Sequence, residues 1–317
     1  MTEEPVIAVG GENLIDYVTR EGVATAHPGG SPYNVAMALG RLGADVAYIS
    51  PISEDRWGDM LAETLTASGV MLTGGRRPEP TTMARVTISE GLPSYGFERA
   101  GTAERAVTVA SLAAALPAGA RAIHTGSLTL TDGADAEAWE DFCATCFDAG
   151  VLVSLDPNVR VSVIADMTGY RARIARMCAR AHLLKLSDED LAALFPDRDQ
   201  AAALDELRAT TSARLVVLTR GSEGTSAFRA GERIDVPAQK LAQLADTVGA
   251  GDTFSAALLH GLAQGGALSP QGLEALGRDK LYKLLERASI AAALNCTRAG
   301  CNPPTRAELD AALDQKA

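Results

Sequence analysis

One carboxylate in the sequence stands directly after a run of small residues. In the segment ADTVGAGDTFSAALLHGL, residues 245–262, Gly249, Ala250 and Gly251 precede Asp252, and apolar residues then recur every four positions. This spacing predicts a helix with Asp252 in its first turn. Free N–H groups and the helix dipole at such a start would bind an anion such as a phosphate group. Asp252 beside them could accept the proton of an attacking hydroxyl, and a glycine-rich turn with an acidic N-cap is the alternative.

A second segment combines glycines, a cap signal and an amide. It is PGGSPYNVAMALGRLG, residues 28–43. Ser31 is predicted to be the N-cap of a helix and Pro32 its first residue. Gly30 would let a ligand approach the backbone closely, and the Asn34 amide can both donate to and accept from hydroxyl groups. The alternative is a capped helix after a Gly-Gly turn, without a ligand.

The elements that must position these residues follow an alternating pattern. Short apolar runs predict buried strands at VIAVGG, DVAYISPI, ARAIHTG, VLVSLD, AHLLKL and RLVVLT. Helical patterns lie between or after them at 31–43, 56–68, 134–149, 199–210, 251–265 and 280–294. The alternation predicts an α/β fold, a doubly wound and mostly parallel sheet flanked by helices. Ligands of such sheets bind at the carboxyl ends of the strands.

Two regions break this pattern. Residues 82–99 alternate like antiparallel strands around a Gly-Leu-Pro turn, and residues 17–26 resemble a short hairpin. We expect them to form a small β lid, built from about 17–27 and 82–100, over one end of a single domain that spans residues 1–317. A surface hairpin without a lid role is the alternative.

Composition limits the partners and the compartment. The 317 residues carry a formal charge of −11, from 29 basic and 40 acidic residues. This balance argues against sequence-independent binding to nucleic acid, which needs basic patches. The N-terminus MTEEPVIAVGGE has acidic residues where a signal peptide would be basic, and no apolar run approaches the ~18 residues of a membrane span. We therefore expect a cytoplasmic protein without membrane or nucleic-acid partners.

Taken together, the two glycine segments resemble the two signatures of the ribokinase-like (PfkB) carbohydrate kinases. One is a Gly-Gly motif that reaches Asn34, and the other is D-T-x-G-A-G-D from Asp246 to Asp252. The resemblance extends over nearly the whole chain, in the family's order and spacing. It implies transfer of the ATP γ-phosphate to a sugar hydroxyl, with Asp252 as the base. Gly249, Ala250 and Gly251 would form the anion hole for that phosphate.

The resemblance also implies a sugar site. Asp16 in GGENLID would bind sugar hydroxyls, as would Gly30 and Asn34. The stretch Asp156-Pro-Asn-Val-Arg160 resembles the D-P-N-x-R of fructokinase-like and 2-keto-3-deoxygluconate kinase-like members, in which the arginine reaches the substrate. A guanidinium suits a carboxylate or a row of hydroxyl oxygens. The alternatives are a solvated turn acid for Asp16 and a solvated arginine for Arg160.

Two further stretches resemble the family's nucleotide motifs. Thr219, Gly221 and Gly224 match its T-x-G-x-x-G turn, whose glycines allow close approach of ATP. LLKLSDEDL resembles its N-x-x-E motif, associated with Mg²⁺ and phosphate, but Ser187 replaces the asparagine and Asp190 the glutamate. Ser187 would thus contact nucleotide and Asp190 a water of Mg²⁺. These two residues also have the spacing of a helix capping box, which is the alternative.

The end of the chain carries the last of these resemblances. LNCTRAGCNPPT is similar to the family's stretch beside adenine and a monovalent-cation site. That site would bind K⁺ through Asp246, the Val248 carbonyl and carbonyls of residues 298–301. A lid paired across two chains would make a homodimer.

The choice of substrate rests on resemblance to one branch of the family. YGFERAGTAERAVT, residues 95–108, and GENLID resemble fructokinase-like members, which predicts D-fructose as substrate and fructose 6-phosphate as product. The alternatives are 2-keto-3-deoxygluconate, another sugar or a nucleoside. Outside this class, a non-catalytic sugar sensor is the rival, although the base and the glycines are intact. A nicotinamide dehydrogenase would need G-x-G-x-x-G where Gly10-Gly11-Glu12-Asn13 stands.

Overall fold

The computed structural model describes residues 6–20, 23–89, 92–229, 231–240 and 243–315. Its strands are β1 (Val6–Val9), β2 (Leu14–Arg20), β3 (Val23–Gly29), β4 (Val46–Tyr48), β5 (Ile52–Ser53), β6 (Met71–Leu72), β7 (Arg76–Arg77), β8 (Thr82–Ser89), β9 (Leu92–Glu98), β10 (Ala120–Gly126), β11 (Leu152–Asp156), β12 (Leu183–Ser187), β13 (Leu215–Thr219), β14 (Thr225–Arg229) and β15 (Glu232–Val236). Its helices are α1 (Ser31–Arg41), α2 (Arg56–Ala67), α3 (Val109–Ala115), α4 (Gly133–Asp148), α5 (Met167–Cys178), α6 (Asp188–Leu194), α7 (Gln200–Thr210), α8 (Ala250–Gln264), α9 (Pro270–Ala275), α10 (Arg278–Cys296) and α11 (Arg306–Asp314).

A nine-stranded sheet in the order β15-β14-β13-β12-β11-β10-β1-β4-β6 forms the centre. Its strands are parallel from β13 to β6, and β14 and β15 extend it in the antiparallel sense. Along β1, Ile7 and Val9 belong to one apolar core and Ala8 to the other. Successive side chains of a strand point to opposite faces, so both faces are covered. These features confirm the predicted doubly wound, mostly parallel sheet.

The direction of winding reverses between β1 and β10, since β4 lies on one side of β1 and β10 on the other. At such a switch point the loops that leave the carboxyl ends of the two strands diverge and open a crevice. The first loop after β1 begins at Gly10 and the loop after β10 begins at Ser127. The fold therefore places a ligand site beside these two loops.

The six predicted helices agree with the observed ones to within two residues at each end. The prediction of one strand over DVAYISPI was wrong, because the chain forms β4 and then the separate β5, which pairs with β7. Pro51 lies between them and has no N–H to continue a ladder. No helix in the described ranges is long and apolar enough to cross a membrane.

A separate four-stranded sheet, in the order β3-β2-β8-β9, occupies the regions predicted to form the lid. We call it the lid sheet. It begins at Leu14, three residues before the predicted start, and its two antiparallel hairpins join through the parallel pair β2–β8. Residues 21–22 of the first hairpin, and Gly91 of the predicted Gly-Leu-Pro turn, lie outside the described residues. Closure of this sheet over a ligand stays a prediction.

A buried ion pair fixes the base of the lid sheet. Arg99 follows β9 and is 6% exposed, and its Nε lies 2.9 Å from Oε1 of Glu104, which is 2% exposed. Thr82, at the start of β8, donates from Oγ1 to the same Glu104 oxygen at 3.0 Å. Asp135 on α4 lies 3.5 Å from Nη2 of Arg99. Strands β8 and β9 of the lid sheet are thus tied to the main domain through one charged cluster.

We expect Arg99→Met to lower the free energy of unfolding by about 3 kcal/mol, because it leaves the buried Glu104 carboxylate without its cation. Urea unfolding followed by circular dichroism measures this. Arg85→Met is the matched control, since Arg85 pairs with Glu98 in solvent on the same sheet, where ion pairs contribute little. Equal stabilities of the two variants would contradict the anchoring role.

Candidate active site

A cavity of about 1330 Å³ opens between the carboxyl ends of the central strands and the lid sheet. The loops after β1 and β10, the start of α1 and the start of α8 contribute to its wall. Ala84 and Phe97 of the lid sheet line it from the other side. Its volume exceeds the roughly 300–1,000 Å³ of a typical small-ligand pocket, so two ligands would fit side by side.

Asp252 lies at the wall of this cavity, in the first turn of α8. Its Oδ1 accepts a hydrogen bond from Ser31 Oγ at 2.6 Å, and its Oδ2 accepts one from Asn34 Nδ2 at 2.8 Å. Burial raises the pKa of Asp252 above its ordinary value, and the bonds from Ser31 and Asn34 oppose that shift. A carboxylate with a raised pKa beside a ligand cavity is suited to accept a proton from a bound hydroxyl.

The prediction that Ser31 is the N-cap of α1 was wrong. The cap is Gly30, and Ser31 is the first residue of the helix. An N-cap hydroxyl would accept from a backbone N–H, whereas the Ser31 hydroxyl donates to the carboxylate of Asp252, which α8 brings within 2.6 Å. Ser31 is therefore a part of the site that its local sequence did not reveal.

The start of α8 owes its shape to Gly249. This residue has φ +75, and a Cβ there would lie 2.3 Å from Sγ of Cys301, so only glycine fits. Among the described residues, the N–H groups of Gly249 and Gly251 have no hydrogen-bond acceptor. The N–H of Ala250 donates to the Thr247 carbonyl at 3.2 Å. Gly249 and Gly251 thus offer free donors at a helix start, whereas the predicted role of Ala250 competes with an internal bond.

Buried Asn295 on α10 holds the loop that leads into α8. Its Nδ2 donates to the Val248 carbonyl at 2.7 Å, and its Oδ1 accepts from Asn302 N at 2.8 Å. Asp246 accepts from the N–H groups of Val248 at 3.1 Å and Gly300 at 2.9 Å, and these backbone bonds lower its pKa. The predicted K⁺ ligands Asp246 and Val248 are therefore engaged with the protein, and cation binding by them stays a prediction.

On the sugar side, the structure brings Asp16, Gly30 and Asn34 to the cavity wall. Asp16 lies on β2 of the lid sheet rather than in a turn, and burial raises its pKa although His27 opposes the shift. Asn34 Oδ1 is buried and has no donor among the described residues, so it can accept a ligand hydroxyl. A Cβ on Gly30 would lie 2.4 Å from the Glu12 carbonyl, which explains the glycine.

Glu12 is a further buried residue of the site, and none of the sequence motifs predicted it. Its Oε1 accepts from Ser31 N at 3.0 Å and its Oε2 from Thr129 Oγ1 at 2.7 Å, so it joins the loops after β1 and β10 to α1. Burial raises its pKa. The sequence signal for Glu12 was an acid directly after the apolar run VIAVGG, in the same GGENLID stretch as Asp16.

Ser187 and Asp190 form the predicted capping box of α6 and line the cavity. Asp190 Oδ2 accepts from both N and Oγ of Ser187, and its Oδ1 accepts from Val159 N at 2.6 Å. One acceptor position therefore remains on Oδ1. This position leaves room for a water of Mg²⁺, and the Mg²⁺ contact that the family resemblance implies stays a prediction.

The turn with Thr219, Gly221 and Gly224 does not line the cavity. It adjoins the cavity edge, because Thr219 pairs with Ser187 across β12 and β13. Gly224 has φ +92, and a Cβ there would lie 2.3 Å from the Val236 carbonyl, so the backbone alone demands this glycine. Gly221 has φ +47 and open space around it. Nucleotide contacts by this turn stay a prediction.

Arg160 lies exposed at the cavity, where its Nη1 is 3.3 Å from the Asn158 carbonyl. It has no carboxylate partner in the described part of the chain. At the start of the same stretch, buried Asp156 pairs with Lys185, Oδ2 to Nζ at 2.8 Å. Lys185 stands inside the buried run LLKLS of β12, and a charged residue within an apolar strand was the signal that could have identified it.

Comparison with known proteins agrees with this geometry. The pfkB family carbohydrate kinase domain matches residues 11–308. The chain is 36% identical over 281 residues to a fructokinase of Rhizobium leguminosarum bv. trifolii, covering 86% of this chain and 84% of that protein. It is 32% identical over 316 residues to fructokinase-1 of Oryza sativa subsp. japonica, covering 94% of each.

Solved structures extend the comparison to the fold. The crystal structure of fructokinase with bound ATP from Xylella fastidiosa superposes with a TM-score of 0.90 at 26% identity and covers 99% of both chains. The match of a family domain to nearly the full length, the order of its glycine motifs and the cavity at the start of α8 agree with one another. This chain belongs to the pfkB family of carbohydrate kinases.

Proposed function

We propose that this protein is a fructokinase that transfers the γ-phosphate of ATP to D-fructose and releases fructose 6-phosphate. The observation that carries the proposal is a buried carboxylate, Asp252, beside free backbone N–H groups at the start of α8 in a cavity large enough for both substrates. The fructokinase relatives cover most of the chain at more than 30% identity, which supports fructose as the sugar.

In the proposed reaction, Asp252 accepts the proton of the attacking sugar hydroxyl. Each carboxylate oxygen of Asp252 accepts one bond, from Ser31 or from Asn34, and keeps a second acceptor position at which the hydroxyl can bind. The N–H groups of Gly249 and Gly251 would stabilise the negative charge of the phosphoryl group in transfer, with a further contribution from Ala250. Phosphoryl transfer depends mainly on such positioning and electrostatic stabilisation, and these groups would supply the part of it at the sugar hydroxyl and the phosphoryl group.

The sugar would lie between the lid sheet and α1. Asp16 and Asn34 Oδ1 are free to accept from sugar hydroxyls, and Gly30 is the proposed backbone contact beside them at the cavity wall. Closure of the lid sheet would exclude water, which is a competing acceptor. Arg160 would reach the far end of the substrate.

The nucleotide would lie on the other side of Asp252. Ser187 at the cavity edge, and the adjoining turn of Thr219, Gly221 and Gly224, are its proposed contacts. Mg²⁺, when bound with ATP, would neutralise phosphate charge, and Asp190 would contact it through a water. Asp246 and Val248 are the proposed ligands of a K⁺ ion.

Two further predictions concern the state of the protein in the cell. We propose a homodimer that forms through the lid sheet and a cytoplasmic location. Light scattering of the purified protein measures the mass in solution and tests the dimer.

A second candidate substrate follows from the guanidinium of Arg160, which has no carboxylate partner among the described residues. It could bind the carboxylate of 2-keto-3-deoxygluconate.

We expect fructose to give the highest kcat/KM in a coupled assay of ADP release across fructose, 2-keto-3-deoxygluconate, ribose and adenosine, since the lid-sheet sequence resembles fructokinases. Hydrogen bonds to substrate hydroxyls discriminate strongly, so a margin of at least about 10²-fold is expected. A higher value for the sugar acid, lost in Arg160→Met, would favour the second candidate. Sugar binding without ADP release would instead indicate a sensor.

A further inference from the structure

A lysine lies buried beneath the proposed catalytic centre. Lys185, in the middle of β12, is 6% exposed, and its strand neighbours Leu184 and Leu186 are core residues. Its ammonium contacts Oδ2 of Asp156 at 2.8 Å, and Asp156 is 1% exposed. Removal of two charges from water costs several kcal/mol, and apolar replacements of such pairs are often neutral or stabilising. Stability alone therefore does not account for this pair.

The pair contacts α8 on both sides of Asp252. A Cβ built on Gly251 would lie 2.9 Å from Lys185 Nζ, so the ammonium lies directly against the helix start. Ser255, one turn further along, has its Oγ 3.4 Å from the same Asp156 oxygen that binds Lys185. The ion pair is thus packed against the first turn of α8, where Asp252 lies between Gly251 and Ser255.

The charged groups around Lys185 are carboxylates on three elements: Asp156 on β11, Asp190 on α6 and Asp252 on α8. Burial alone would lower the pKa of Lys185, but the charge and hydrogen bond of Asp156, with the charges of Asp190 and Asp252, raise it. Lys185 is therefore an ammonium at neutral pH.

Three other titratable groups of the described residues face this cluster and carry no charge near neutral pH. Burial, with the charges of Asp190 and Asp156, raises the pKa of Tyr170 on α5, so its hydroxyl stays protonated. Burial, with the charge of Lys185, lowers the pKa of His124 on β10 to about 3, so its imidazole is neutral. Burial raises the pKa of the Cys301 thiol, so it stays protonated. Burial raises the pKa of Asp252, the charge of Asp156 adds to that shift, and the charge of Lys185 opposes it.

We propose that the buried Asp156–Lys185 ion pair is a positioning element for phosphoryl transfer, in which the ammonium of Lys185 keeps Asp252 able to accept a proton and Asp156 fixes the ammonium under α8. Perturbed buried charges of this kind cluster at functional sites. The inference rests on the proposed role of Asp252 as the base. It assigns a function to a lysine that does not line the cavity.

The test is the pH dependence of kcat/KM for fructose with saturating Mg-ATP. Lys185→Gln keeps a hydrogen-bond donor for Asp156 but removes the charge. The acid limb of this pH profile is the range in which kcat/KM falls as Asp252 takes up a proton. We expect the acid limb of Lys185→Gln to move to higher pH by about 1 unit, because loss of a nearby opposite charge raises a carboxylate pKa by roughly that much. Lys185→Arg, which keeps the charge, should return the limb toward the wild-type position.

A second background keeps the test valid if Lys185→Gln alone fails to fold. Asp156→Asn removes a like charge beside Asp252, so its acid limb should lie at lower pH than that of the wild type. The double variant Asp156→Asn/Lys185→Gln removes both charges, and its acid limb should lie at higher pH than that of Asp156→Asn. Thermal melting of each variant shows which of them are folded.

A lower rate with an unmoved acid limb, on both backgrounds, would overturn the inference and leave the pair a structural feature. Failure of the proposed function looks different: the wild type would release no ADP with any sugar, or Asp252→Asn would keep its rate. A ¹³C NMR titration of the Asp252 carboxyl, assigned with Asp252→Asn, gives the same comparison without turnover. Equal midpoints in wild type and Lys185→Gln would also overturn the inference.

Discussion

Asp252→Asn is expected to lower kcat for the sugar by about 10²–10⁴-fold and to leave nucleotide binding intact. The carboxamide has nearly the size of the carboxylate but takes up no proton near neutral pH. Its carbonyl can still accept from Ser31, so the junction between α1 and α8 should persist. Sugar-dependent ADP release measures the rate, and titration calorimetry with ADP measures nucleotide binding.

The matched control is Asp279→Asn. Asp279 also lies in the first turn of a helix, α10, but is exposed and away from the cavity. The same chemical change there should leave kcat at the wild-type value. If Asp252→Asn turned over at a near-normal rate, the base would have to be another group and the proposed mechanism would fail.

Gly249→Ala is expected to lower kcat/KM by at least about 10²-fold, the size of the loss when one donor to a developing oxyanion is removed. The residue holds φ +75, and the new Cβ would meet both Sγ and Cβ of Cys301 at 2.3 and 2.8 Å. The turn must therefore move and take the donors of α8 out of line. The left-handed conformation adds a stability cost of about 1–2 kcal/mol, which thermal unfolding would detect.

Gly277→Ala provides the comparison for this variant. Gly277 is likewise the N-cap of a helix, α10, but it has φ −72 and nothing within 4 Å of a Cβ. We expect wild-type kinetics for it. Wild-type kinetics for Gly249→Ala as well would mean that the start of α8 takes no part in catalysis.

The sequence predicted the elements of this fold well because their signals are local. The apolar residues of α8 and α1 recur at helical spacing, and the alternation in residues 82–99 predicted the lid sheet. The same signals located Asp252 and Asn34, since both stand in first turns after glycines. Gly224 shows the limit of such signals, because the backbone near Val236 requires a glycine there whether or not nucleotide binds.

What the sequence could not reveal are partners chosen by the tertiary structure. Ser31 looked like a cap, but its acceptor stands 221 positions away. Lys185 and Asp156 lie 29 positions apart on neighbouring strands, and their contact with α8 follows from the packing of that helix on the sheet. The roles of Glu12 and Asn295 were not predicted either, because their partners Thr129 and Val248 lie 117 and 47 positions away.

The bonds from Ser31 and Asn34 to Asp252 also bear on how the protein is made. Synthesis proceeds from the N-terminus, so both donors leave the ribosome more than 200 residues before their acceptor. The loop before α8 is in turn secured by Asn295 and Gly300, which lie 47 and 54 positions after their partners Val248 and Asp246. A nascent or prematurely terminated polypeptide therefore holds only one half of the reactive centre until α8 and α10 have been synthesised.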